Sequence, residues 1–128
     1  MGAGVKPGES RTELGRRAED AVADYLVVRG FRVLGHNVRL GALELDLVAR
    51  RGPLVVVVEV RTRGEGSLQG PFESIDAGKR VHLKRAVWRL WREKLRGMRE
   101  VQRVRIDAAA VRFAGKETWV EYVEGAIE

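Results

Sequence analysis

The chain has 128 residues, a net charge of +6 from 24 basic against 18 acidic side chains, and no cysteine; one globular domain with a basic surface is expected. The missing cysteines exclude disulfides, thiolate zinc sites and cysteine nucleophiles together. Hydrophobic residues make up 45% and charged residues 33%, and the longest purely apolar run, Leu54 to Val58, is far too short to span a bilayer.

Residues 1–9 are polar and hold Gly and Pro, so they are expected to form a flexible N-terminal arm, with 10–128 as the single domain. The arm has no apolar core of signal-peptide length, and Lys6 stands where a myristoylation motif needs Ser or Thr. No membrane partner and a cytoplasmic location are expected. Ser10 followed by Glu13 fits a capping box and predicts a helix start. Leu14, Ala18, Ala21, Val22, Tyr25 and Val28 then fall along one helical face, with Gly30 placed to end the helix. Glu19 projects near the edge of that stripe.

FRVL, beginning at Phe31, predicts a short strand, followed by an irregular link at Gly35, His36 and Asn37. The stretch from Leu43 to Arg63, LELDLVARRGPLVVVVEVRTR, reads as two strands joined by a turn. Side chains alternate across a strand, so Glu44 and Asp46 share one face of the first, as do Glu59 and Arg61 on the second. Register decides whether these groups meet. An even-numbered turn such as Arg50 to Pro53 sets Glu44 across from Glu59 and Asp46 diagonal to it. An odd turn sends Asp46 and Glu59 to opposite faces unless a bulge intervenes. The unbroken apolar run before Glu59 predicts a strand buried on both faces, and a carboxylate so close to it needs a salt bridge or a metal ion.

Gly64 to Pro71 reads as a flexible loop beside the acids. Asp76 is a candidate N-cap for a helix running to about Arg96, with Leu83, Ala86, Val87 and Leu90 buried. Arg85, Arg89, Arg92 and Arg96 form a basic ridge on its other side, and Trp88 and Trp91 are expected to pack at its margins. Val101 to Phe113 and Thr118 to Val123 predict a fourth and a fifth strand, the last at an edge. The order is α-β-β-β-α-β-β, an α/β fold with a mixed sheet flanked by helices.

The residues present narrow the chemistry. Only His36 and His82 offer imidazoles, no serine lies in a strand-turn-helix nucleophile elbow, and no glycine-rich loop ends in GK[ST]. What remains is a set of hard oxygen donors on adjacent strands beside a cation, suited to Mg²⁺ or Mn²⁺. Such an ion polarises a phosphoryl oxygen and activates a bound water.

In that order, GRRAEDAVADYL, LELDLVA, VVVVEVRTR, GPFESIDAGKR and RIDAAAV resemble the blocks of the YraN-like bacterial proteins, an uncharacterised family of predicted endonucleases. The likeness spans roughly residues 12 to 112. That family is similar in fold to archaeal Holliday-junction resolvases and restriction endonucleases, with a PD-(D/E)xK type site. The resemblance implies a restriction-endonuclease-like three-layer fold. It implies Asp46 and Glu59 as catalytic metal ligands and Arg61 at the lysine position. Glu19 matches the helix-borne glutamate and Lys79 the basic residue opening the second helix, while Glu44 is a further supporting carboxylate. Two departures stand out. Leu43 replaces a glycine, and Arg61 replaces a lysine; arginine effectively never sheds its proton, so it cannot be a general base.

The reading is a Mg²⁺- or Mn²⁺-dependent nuclease-like protein binding DNA, branched or structured DNA included, with Lys79, Arg85, Arg89 and Arg92 on the backbone. Two rivals stand beside it. One is a nucleic-acid-binding protein with a degenerate, non-catalytic site. The other is a protein without nucleic-acid function whose acids are paired with Arg50, Arg51 or Arg63. The Thr118–Val123 edge or the Trp88/Trp91 margin offers a homodimer contact.

Overall fold

The computed structural model describes residues 8–63 and 75–127. Most of the N-terminal arm and the Gly64 to Pro71 loop expected from the sequence lie outside the described residues. Helix α1 (Arg11–Val28) starts at Ser10, whose hydroxyl accepts the Glu13 N–H at 3.1 Å, and gives way to Gly30 at φ +89. Its buried residues, Ala18, Val22, Ala23 and Leu26, shift the stripe away from Val28, which stands 83% exposed where the helix runs past the sheet.

Strands β1 (Arg32–Leu40), β2 (Leu43–Arg51) and β3 (Leu54–Thr62) form an antiparallel meander. The irregular link expected after FRVL is part of β1 itself: a bulge shifts the register between Val33 and Gly35, and Asn37 sits at φ +48. Helix α2 (Ala77–Leu90) is capped by Asp76, which accepts the Lys79 N–H at 2.8 Å, and runs on through a π-helical turn (Trp91–Leu95). It carries the chain to β4 (Arg103–Ala114), which lies parallel to β3, and β5 (Glu117–Ile127) returns antiparallel at the sheet edge. The five strands are ordered β1-β2-β3-β4-β5, a mixed α/β sheet.

The sheet separates two cores. On one face α1 covers Leu47, Ala49, Val56, Val58, Ala109 and Val111. On the other, Leu83, Ala86 and Leu90 of α2 cover Leu45, Val48, Val55, Val57 and Ala108. The valines at 55 to 58 are all fully buried because alternate members feed the two layers.

Two polar devices hold the sheet ends. At the β1–β2 turn, Arg89 donates to the Leu40 carbonyl at 2.8 Å and pairs with Glu93 at 3.0 Å, its guanidinium pressed over Gly41. Gly41 has φ +67, and an added Cβ meets the Arg89 Nη1. Gly41→Ala is therefore expected to destabilise the protein by about 1–3 kcal/mol, from backbone strain and displacement of Arg89. Chemical denaturation checks this, and an unchanged midpoint would contradict it. At the other edge, the register shift between Ile106 and Ala108 leaves Asp107 unpaired across to β5. Its fully buried carboxylate takes two bonds from Arg105 (2.8 and 3.0 Å), one from the Tyr122 hydroxyl (2.5 Å) and one from the Gly125 N–H (2.8 Å). Burial and the Asp107 carboxylate hold the Tyr122 hydroxyl well above the usual phenol range, so it stays a donor. Among the described residues, no helix is long and apolar enough to cross a membrane.

Candidate metal centre

The turn between β2 and β3 is the two-residue Gly52–Pro53, with Arg51 opposite Leu54. The even parity needed to bring the acids together is present, but β2 is shifted by two residues from the expected register. The last paired residues are Leu47 and Val58, so Asp46, rather than Glu44, comes level with Glu59. There the ladder ends. The Asp46 Oδ2 accepts the Val60 N–H at 2.9 Å, so a side chain takes the place of the backbone acceptor as the strands part.

Asp46 is also where β2 rotates. In a regular strand Leu45 and Leu47 would share a face, yet Leu45 belongs to the α2-side core and Leu47 to the α1-side core. On β1, Asn37 lies between the residues paired with these two leucines, and its positive φ matches the irregularity. Asp46 therefore sits edge-on between the layers, with Glu59 on one side and Glu19 of α1 on the other.

The charges register this arrangement. Glu59, 3% exposed, has its carboxyl pushed up to about 7 by burial and by Asp46, against the lowering influence of Lys79 and Arg61. Glu19 is also raised to about 7, by burial and then Asp46, although Asn37 donates to its Oε1 at 3.1 Å. Two carboxyls are thus raised by a third that lies between them, a cluster of acids running from α1 to β3.

Both cations around Glu59 use one oxygen. The Arg61 Nε lies 3.3 Å and the Lys79 Nζ 3.4 Å from Oε1. The other oxygen, Oε2, is buried, and no donor among the described residues reaches it. A buried carboxylate oxygen without a donor is costly; a proton shared with Asp46, whose side chain hydrogen-bonds that of Glu59, or a hard cation satisfies it. Among the described residues no three His, Cys, Asp or Glu side chains converge as an all-protein metal cage. Mg²⁺ does not need one: it binds through one or two carboxylates, waters and substrate phosphate. Asp46 and Glu59 fit that requirement.

The other expected site residues divide. Glu44 lies at the exposed end of β2, 3.8 Å from the Arg39 Nε, and joins the acidic cluster only as a charge that helps raise Glu19. Arg85 and Arg92 are exposed on the outer side of α2 and its π-turn, whereas Arg89 is occupied by Leu40 and Glu93. Trp91 packs against the α2-side core as expected, whereas Trp88 is 60% exposed and lines, with Trp91, Val104 and Ile106, a concavity between α2 and β4. Arg50 pairs with Glu100 at 3.4 Å, Arg51 donates to the Arg29 carbonyl at 3.0 Å, and Arg63 pairs with Glu121 at 3.0 Å; none of these contacts is to Glu19, Asp46 or Glu59. Asn37 was not singled out from the sequence. An asparagine tolerates left-handed backbone inside a strand, but that signal is weak without the register.

The raised Glu59 has a stability consequence with a definite sign. Between the ordinary value of 4.5 and the folded value of about 7, the native state holds a proton that the unfolded state has lost. Stability therefore falls as pH rises through this window, and the full penalty is present above it. In EDTA, Glu59→Gln is expected to melt close to the parent at pH 4 and to be more stable at pH 8, by on the order of 3 kcal/mol. Thermal melts at both pH values check it; an equal shift at pH 4 and pH 8 would contradict it.

Three comparisons bear on identity. Residues 18–111 match the model of a family described as Uncharacterised protein family UPF0102. A UPF0102 protein of Sorangium cellulosum is 46% identical over 125 residues, covering 97% of this chain and 87% of its own length. UPF0102 proteins of Anaeromyxobacter dehalogenans and Syntrophotalea carbinolica are 39% and 38% identical, covering 94% and 92% of this chain and 88% and 94% of their own lengths. With the match running from α1 to β4 and through every member of the acidic cluster, the chain belongs to the UPF0102 family.

Proposed function

We propose that this protein is a divalent-metal-dependent nuclease-like protein that binds DNA and hydrolyses phosphodiester bonds. The observation that carries the reading is the Glu59 carboxylate, with one oxygen closed by two cations and the other buried without a donor, level with Asp46. Asp46 and Glu59 would hold Mg²⁺ or Mn²⁺, which when bound polarises the phosphoryl oxygen and lowers the pKa of a water. Arg61, with its permanent charge, stabilises the charge gathering at phosphorus. Lys79 lies against the same Glu59 oxygen and sets a second positive charge beside it. Asn37 holds Glu19 toward Asp46, and Glu19 near neutrality is able to take up a proton at the edge of the acidic cluster.

A second reading has an observation of its own. Arg61 ion-pairs Glu59 in place of the usual lysine, which favours a protein that binds nucleic acid without cutting it. A panel of duplex, single-stranded, flap and four-way-junction DNA, incubated with and without Mn²⁺, separates the two. Metal-dependent cleavage of any member supports the nuclease. Salt-sensitive binding with no cleavage supports the non-catalytic protein.

A further inference from the structure

Beyond the Glu59 level α1 still covers one face of the sheet, through Val111, Phe113 and Val120, whereas among the described residues the α2-side core stops short on the other face. Three cross-strand rows are set by register: Glu59–Ala108–Val123, then Arg61–Ala110–Glu121, then Arg112–Trp119 with Arg63 alongside. Arg63 extends the β3–β4 ladder by donating its N–H to the Val111 carbonyl at 2.8 Å. Opposed residues share a face, so the second and third rows continue the face that holds Glu59. Ala110, Arg112, Trp119, Glu121 and Arg63 line one concavity of about 380 Å³.

The composition of this surface is specific. Trp119 is 53% exposed, and the Arg112 guanidinium stands 5.8 Å from its ring centre. Glu121, the acid of the platform, is neutralised by Arg63 at 3.0 Å. Ala110 is small and fully buried, which leaves the indole and the guanidinium to form the walls. A flat aromatic flanked by arginines, next to a phosphate-directed centre, matches an unpaired nucleotide strand: the ring stacks a base and the cations take the phosphates. A base already paired inside a duplex presents no free face to it.

We propose that Arg112 and Trp119 form a subsite for unpaired nucleotides, so that the preferred substrate carries a single-stranded arm beside the phosphate at Asp46 and Glu59. The proposal rests on the nucleic-acid reading above and names its substrate class. The third row lies four residues beyond Glu59, about 13 Å at a strand rise of about 3.3 Å. That is about four nucleotides at the duplex rise of about 3.4 Å per strand, and fewer for an extended strand.

The test is binding in EDTA, where no cleavage can occur, by fluorescence anisotropy at fixed ionic strength. The probes are a labelled blunt duplex, a single strand, and duplexes with unpaired arms of 2, 4 and 8 nucleotides. Affinity is expected to rise with arm length and to level off by about four nucleotides. Trp119→Ala should weaken tailed and single-stranded binding about 10- to 100-fold and blunt-duplex binding less than about threefold. Trp119→Phe should restore most of the loss, and Trp88→Ala should leave all affinities unchanged. Arg112→Ala should lower the slope of log affinity against log salt for the single strand by about 0.7. No gain from unpaired arms, equal loss on duplex and tailed DNA in Trp119→Ala, or no binding of any probe would overturn the subsite. Tailed binding through Trp119 with no cleavage in Mn²⁺ sinks the nuclease reading and leaves the subsite standing. Cleavage of blunt duplex that is indifferent to Trp119→Ala does the reverse.

Discussion

Asp46→Asn is expected to lower Mn²⁺-dependent cleavage at least about a thousand-fold, while the melting temperature stays within a few degrees of the parent. The large effect follows from the position of Asp46, level with Glu59 at the end of the β2–β3 ladder and coupled to its carboxyl, where the proposed reading has the two share a cation. On the proposed reading, losing one of the two protein ligands would remove several kcal/mol of transition-state stabilisation, and each 1.36 kcal/mol is about tenfold in rate. Asparagine is the informative substitution because it keeps an oxygen to accept the Val60 N–H, whereas alanine removes the ligand and the strut together. Cleavage within tenfold of the parent, with the fold intact, would remove Asp46 from the site.

Asp107→Ala is expected to cost about 3–5 kcal/mol, the largest stability loss from a single side chain in this account. The substitution leaves Arg105 as a half-buried charge without its bidentate partner, and it strips the Tyr122 hydroxyl and the Gly125 N–H of their acceptor. The β5 bulge is organised around that carboxylate, so the edge strand should loosen first. In a domain of this size, the loss corresponds to a fall in melting temperature of about 10–20 °C. Asp107→Asn keeps an acceptor and should lose about half as much. Melting within about 3 °C of the parent for Asp107→Ala would show that the network is dispensable.

The contrast between these two aspartates shows what the chain makes legible. The strand-helix order, both helix caps and the edge position of the last strand follow from local patterns: Ser10 and Asp76 before apolar periodicity, Gly30 after it, TWVEYV alternating. The even turn at Gly52–Pro53 brings Asp46 and Glu59 to one level, but the register lies two residues along β2 from the expected one. A turn's parity is local, whereas its length depends on how Arg50 and Arg51 are accommodated, and both stay in strand. The bulges are harder still. Asn37, the rotation of β2 at Asp46 and the Asp107 bulge each depend on pairing with a distant strand. Trp88 and Trp119 reverse the usual expectation that tryptophan packs inside, since only the final orientation of α2 and β5 exposes them.

The central claim is that Asp46 and Glu59 share one divalent ion. Crystals grown in Mn²⁺ and measured at an energy where manganese scatters anomalously test it without any substrate. The predicted result is a single anomalous peak within about 2.0–2.3 Å of a carboxylate oxygen from each residue, lost in Asp46→Asn and in Glu59→Gln crystals. No peak at saturating Mn²⁺, with Lys79 and Arg61 still closed on Glu59, would contradict it and leave the carboxylates as members of a structural ion-pair cluster.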